Sequence, residues 1–116
     1  MVPHIRPAQL PQWLQQCRAQ DATALPIVLD VREPWEVQTA SVRADGFELR
    51  HMPMASIPMR LAELPKDRPI ACLCHHGGRS AQVAYFLHRQ GFDDVVNIAG
   101  GIHAWAHELD PSVPQY

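Results

Sequence analysis

The sequence predicts an α/β domain with a mostly parallel central sheet of about four to five strands, flanked by helices. Three observations lead there. Short apolar runs at 26–29, 70–73 and 92–98 alternate with amphipathic stretches at 7–17, 80–87 and 102–109. The runs at 26–29 and 70–73 are continuously apolar rather than alternating, as strands buried on both faces are. Each is bounded by proline, glycine or acidic residues that break secondary structure.

Taken in order, residues 4–6 suit a short edge strand. Pro7 opens a helix in which Leu10, Trp13, Leu14 and Cys17 share one face. Residues 26–29 form a buried strand that runs into Asp30-Val31-Arg32-Glu33-Pro34-Trp35-Glu36. Pro34 can start a short helix carrying Trp35 and Val37, with Trp35 expected in the core. Residues 47–49 suit a strand, and 58–64 a short helix stopped by Pro65. Ile70–Leu73 is the central buried strand. The helix from about Ser80 buries Val83, Ala84, Phe86 and Leu87, with Gly91 as its cap. Residues 92–98 supply the last strand. Ala99-Gly100-Gly101 turns into a helix with Ile102, Trp105, Ala106 and Leu109. Residues 110–116 read as a proline-containing tail, so one domain is expected over 1–116, with its core at about 4–109.

Composition narrows the function. The chain has 116 residues and a net charge of -2, so one core is possible and nucleic-acid binding is not suggested. Three cysteines do not make a disulfide framework. No apolar leader and no membrane-spanning run is present, so a cytoplasmic protein without a membrane partner is expected.

The chemistry concentrates at Cys74-His75-His76-Gly77-Gly78-Arg79-Ser80. Cys74 ends a buried strand, at the sheet edge where open α/β folds place ligands. Gly77 and Gly78 are free to take positive φ, so the loop can turn its N–H groups inward as an anion nest. The helix dipole and Arg79 add positive potential. A thiol in that field is expected to ionise readily, to remain within reach of solvent and to act as a nucleophile. Arg79 either holds an anionic donor or sits in an ion pair, since both uses fit its fork. His75 and His76 are placed at the loop mouth, where they add charge at low pH or contact an acceptor; plain exposure explains them equally well. Cys72 shares the face of Cys74 by the two-residue period and is read as a packing residue, or as a thiol that resolves an oxidised Cys74. Cys17 is read as core.

Cys-x-x-Gly-x-Arg-Ser resembles the active-site loop of the rhodanese family, the single-domain sulfurtransferases. Asp30-Val31-Arg32-Glu33 and the Gly100-Gly101 turn before Trp105 resemble two further signatures of that family. The resemblance implies that Cys74 takes a sulfane sulfur from a small anionic donor and passes it to a thiol, cyanide or protein acceptor. It implies that residues 75–80 bind the donor, that Asp30 and Arg32 brace the region, and that no cofactor is needed. Asp30 is expected to accept hydrogen bonds from loop N–H groups or Arg79. Four residues separate Cys74 from Arg79, against five in the related cysteine phosphatases, which suits a sulfur-sized group better than phosphate. The family's Gly-His-Ile-Pro-Gly-Ala segment keeps His51, Pro53 and Ala55 here, but has Arg50 and Met54 at the glycine positions. His51 is read as a structural histidine rather than an acid or base. The alternatives are a non-catalytic sulfur-relay or regulatory module of the same fold, metal binding through Cys72, Cys74, His75 and His76, and phosphatase or arsenate-reductase chemistry.

Overall fold

A computed structural model describes residues 2–116. Five strands, β1 (His4–Ile5), β2 (Ile27–Asp30), β3 (Glu48–His51), β4 (Ile70–Leu73) and β5 (Val95–Ile98), form one all-parallel sheet in the order β1-β5-β4-β2-β3. Four helices accompany them: α1 (Leu10–Gln20), α2 (Pro34–Thr39), α3 (Gly78–Arg89) and α4 (Gly101–Glu108).

Every residue of β2, β4 and β5 is buried, which is why these runs show no polar alternation. The pleat divides them between two cores. Val28, Ala71, Leu73, Val96 and Ile98 face α1 and α4, where Leu10, Trp13, Leu14, Cys17 and Trp105 pack. Ile27, Leu29, Ile70, Cys72 and Val95 face the other way, against Val83, Ala84 and Leu87 of α3. Burial pushes the Cys17 thiol up to about 11, so it is a packing group.

From β2 the chain proceeds through α2 to β3 at one edge. From β4 it proceeds through α3 to β5 on the other side. The loops after β2 and β4 therefore diverge, and this switch point opens a crevice at the strands' C-terminal ends. Both sequence-predicted clusters, 30–36 and 74–80, emerge there.

Several expectations are corrected. The helix expected at 58–64 is replaced by 3-10 turns at Met54–Ser56 and Leu61–Glu63; Pro58 and Pro65 leave too short a run for an α-helix. Trp35 is 62% exposed, because Glu36 rather than Trp35 takes the inward face of the short α2. Residues 110–116 do not trail away: Val113 joins the core, and Tyr116 returns to the crevice. Arg50 and Met54 need no special geometry, since no described residue other than glycine has positive φ.

Candidate active site

β4 ends at Leu73, and Cys74 follows on the same face as Cys72, as the strand period requires. The backbone then turns through Gly77, whose φ of 106° only glycine adopts readily. A Cβ there would sit 2.9 Å from the Gly100 nitrogen. The turn brings the Gly77 N–H to 3.0 Å from Cys74 Sγ. The Ser80 hydroxyl lies 3.3 Å from the same sulfur. α3 starts at Gly78, two residues earlier than expected, so its N-terminus faces the loop.

Two features of the expected cradle are not found. Gly78 has ordinary helical φ, and a Cβ on it would meet nothing within 4 Å. Cys74 is also closed to solvent, only 1% exposed. Its neighbours explain this: the side chain packs in the α3-side core with Cys72, Val83 and Ala84, while α4 pins the loop backbone from outside. Ile102 N–H donates to the Cys74 carbonyl at 2.8 Å, and His103 N–H to the His75 carbonyl at 3.1 Å. Those bonds turn two carbonyls away from the sulfur. Of the inward ring of amides expected, the structure has one N–H and one hydroxyl on the sulfur.

Gly101 makes this junction possible. Its φ is 60°, and a Cβ would fall 2.4 Å from the His75 oxygen and 2.5 Å from the Cys74 oxygen. The Gly100-Gly101 turn is thus the contact between α4 and the Cys74 loop.

Arg79 does not reach into the loop. Its Nη1 and Nη2 donate to Glu36 Oε2 and Oε1 at 2.7 and 2.8 Å. Of the two uses of Arg79, the ion pair is the one formed in this structure. Glu36, absent from the sequence-level site, is its centre. Oε2 also accepts from the Glu33 N–H at 3.0 Å, and Oε1 from the Tyr116 hydroxyl at 2.9 Å. The Arg79 guanidinium holds the Glu36 carboxyl down at about 2. Glu36 sits in the first turn of α2, three residues after Glu33, a spacing that signals a cap in sequence but not its partner on α3.

Asp30 does not bond the loop or Arg79 as expected. Its carboxylate accepts from Arg32 Nε at 2.9 Å and Nη2 at 2.7 Å. Arg32 is fully buried, and such a charge persists only when paired and hydrogen-bonded. Its Nη2 also donates to the Ala40 carbonyl and its Nη1 to the Tyr116 hydroxyl. Tyr116 thereby joins Arg32 to Glu36. His51 Nε2 lies 2.7 Å from the Arg32 carbonyl, a structural contact.

The histidines form an aromatic rim. The Tyr116 ring stacks on His75 at 3.9 Å and 7°, and His75 on His76 at 3.9 Å and 28°. His75 is half-buried and His76 exposed. Burial, and then its neighbour His76, lowers the His75 pKa. Cys72 is fully buried and its thiol pKa is raised by burial. Among the described residues, no group of three or more His, Cys, Asp and Glu side chains is placed to hold a metal ion, so the Cys72, Cys74, His75 and His76 set does not converge. A groove of about 690 Å³ lies elsewhere, lined by Leu14, Arg18, Arg43, Phe47 and Trp105; none of residues 74–80 borders it.

A parallel five-stranded sheet with a cysteine at its switch point, held by a glycine turn and a helix N-terminus, defines a protein with a thiol-centred loop. The family model of the rhodanese-like domain matches residues 7–108, and the chain belongs to that family. It is 39% identical over 87 residues to a sulfurtransferase of Allochromatium vinosum, covering 75% of this chain and 78% of that protein. It is 41% identical over 93 residues to the rhodanese-like/PpiC domain-containing protein 12, chloroplastic, of Arabidopsis thaliana; the match covers 77% of this chain and only 30% of that longer protein. The crystal structure of a rhodanese-related protein from Thermoplasma volcanium superposes with a TM-score of 0.73 at 29% identity, covering 98% of this chain and 99% of that one. No helix among the described residues is long and apolar enough to cross a membrane.

Proposed function

We propose that this protein is a sulfurtransferase that carries a sulfane sulfur on Cys74. The observation that carries the reading is the Gly77 N–H at 3.0 Å from Cys74 Sγ, with the Ser80 hydroxyl beside it. Oriented donors on a sulfur stabilise negative charge there, on the thiolate that attacks the donor and on the thiolate released when the persulfide is discharged. Relatives named as sulfurtransferases support the same chemistry.

With thiosulfate as donor, the Cys74 thiolate attacks the outer sulfur. The new S–S bond forms as the donor S–S bond breaks, and sulfite leaves with the bonding electron pair. Cys74 is then a persulfide. A thiolate or cyanide acceptor attacks the terminal sulfur, and Cys74 departs as thiolate, ready to repeat. Arg79 is tied to Glu36, so it contributes a fixed field at the loop rather than a free clamp. Residues 75–78 form the approach. Since Cys74 is closed, transfer requires the loop and its aromatic rim to move outward. A cysteine desulfurase persulfide and glutathione persulfide are sulfane-sulfur donors of the same class; mercaptopyruvate is an anionic alternative whose C–S bond would break with the electron pair left on the pyruvate enolate. A cytoplasmic setting suits the free thiols.

The 1% exposure of Cys74 favours a second reading, a non-catalytic relay or regulatory module of this fold. Thiocyanate formation from thiosulfate and cyanide separates the two. The enzyme reading expects turnover that Cys74→Ser abolishes. No turnover with any of the four donors supports the module.

A further inference from the structure

Asn97 is a polar residue in the middle of a buried strand, 2% exposed, on the face of β5 that looks at α3. Nothing in packing calls for an amide there. Its side chain bonds to Gly77 and Ser80, both of which touch the sulfur of Cys74, and to His4. Its Oδ1 accepts from the Ser80 hydroxyl at 2.6 Å. Its Nδ2 donates to the Gly77 carbonyl at 3.3 Å and lies 3.0 Å from His4 Nδ1. The carbonyl contact fixes which way the amide points, because a carbonyl can only accept. His4 Nδ1 must then accept as well.

Gly77 and Ser80 are the two groups whose donors touch Cys74 Sγ. Asn97 therefore holds both of them from behind. Ser80 has one hydroxyl proton and three acceptors around it: Asn97 Oδ1 at 2.6 Å, and Gly77 O and Cys74 Sγ at 3.3 Å each. While Cys74 is a thiol, the Ser80 hydroxyl donates to Asn97 Oδ1, and the S–H can donate to Ser80 Oγ. When the sulfur becomes negative, the hydroxyl can rotate toward it, since a hydrogen bond to an ion is the stronger one.

We propose that Asn97 is a positioning residue for Cys74. It sets the Gly77 peptide and the Ser80 hydroxyl so that both donors meet the sulfur when it carries charge. This deepens the Cys74 reading and rests on Cys74 being the reactive group, though not on which sulfur donor it uses.

The test is alkylation of Cys74 by iodoacetamide, located by mass spectrometry and followed against pH, with the rate in urea as reference. Asn97→Asp keeps the size but removes the donor to Gly77 and adds a carboxylate that by itself opposes the thiolate; Asn97→Ala removes both bonds without adding charge and is the deciding variant. Each is expected to slow alkylation of the folded protein at neutral pH by about tenfold and move its pH profile upward. Ser80→Ala is expected to act in the same direction. Where Asn97→Ala does not fold, Asn97→Ser gives the reading. Asn97 variants that alkylate as fast as wild type or faster overturn the proposal. A lowered melting temperature with an unchanged pH profile marks Asn97 as purely structural and also overturns it. The assay uses no sulfur donor. A wild-type protein that transfers no sulfur, with slowed Asn97 variants, defeats the functional reading and leaves this one standing.

Discussion

Arg79 and Glu36 meet as a two-pronged pair, Nη1 on Oε2 at 2.7 Å and Nη2 on Oε1 at 2.8 Å. The pair joins the first turn of α3 to the first turn of α2, across the switch point of the sheet. Glu36 is buried while Arg79 is partly exposed, so the carboxylate depends on the guanidinium more than the reverse.

The pair predicts an acid-sensitive stability. The folded-state pKa of Glu36 is depressed from 4.5 to about 2. A depressed carboxyl stabilises the fold fully above its unfolded value, and that stabilisation is lost as pH falls through the folded value. The contribution is on the order of 3 kcal/mol. Glu36→Gln should lower stability at neutral pH and flatten its decline between about pH 5 and pH 2. Urea unfolding across that range checks both effects. An unchanged slope in the variant would disconnect Glu36 from acid unfolding.

Gly101 and Gly78 should respond oppositely to alanine. At Gly101 the new Cβ meets two carbonyl oxygens at 2.4–2.5 Å and a φ of 60°, so Gly101→Ala should cost roughly 2 kcal/mol or more. At Gly78 the Cβ meets nothing, and Gly78→Ala should stay within about 0.5 kcal/mol. Thermal melts of the two variants give the comparison.

Tyr116→Phe keeps the ring over His75 but removes the hydroxyl shared by Arg32 and Glu36. The loss should be about 1–2 kcal/mol, since hydrogen bonds to charged groups exceed neutral ones. Tyr116→Leu should cost more, because the stack goes too. Equal stability of wild type and Tyr116→Phe in urea would remove Tyr116 from the network.

Cys72 is buried with no polar partner in view, and burial raises its pKa. Cys72→Ser should therefore leave most of any sulfur transfer, while Cys74→Ser leaves none. Equal loss in both would point to a dithiol mechanism in place of a single carrier.

The fold was legible because its signals are local. Continuous apolar runs marked β2 and β4, a mostly apolar run bounded by acidic and glycine residues marked β5, and the Leu10, Trp13, Leu14 and Cys17 stripe marked α1. The loop at 74–80 was legible because a strand, a glycine turn and a helix start follow one another in the chain. What stayed hidden depends on partners far apart in sequence. Glu36 lies 43 residues from Arg79 and Tyr116 80 residues from Glu36, and neither spacing leaves a pattern. Asp30 and Arg32 are expected from sequence to brace the region, but not to bond each other: a pair two residues apart at a strand end leaves no pattern that excludes the loop or Arg79 as partner. Asn97 did carry a signal, a lone amide in an apolar strand. The closure of Cys74 had none, since it comes from packing of its side chain against α3 and from α4 bonding to the loop carbonyls, both set by the tertiary fold.

Thiosulfate incubation followed by intact-mass and peptide mass spectrometry tests the central claim most directly. The account predicts one added sulfur atom on Cys74, removed again by cyanide. An unmodified Cys74, in protein whose Cys74 is alkylated by iodoacetamide under the same conditions, would contradict it.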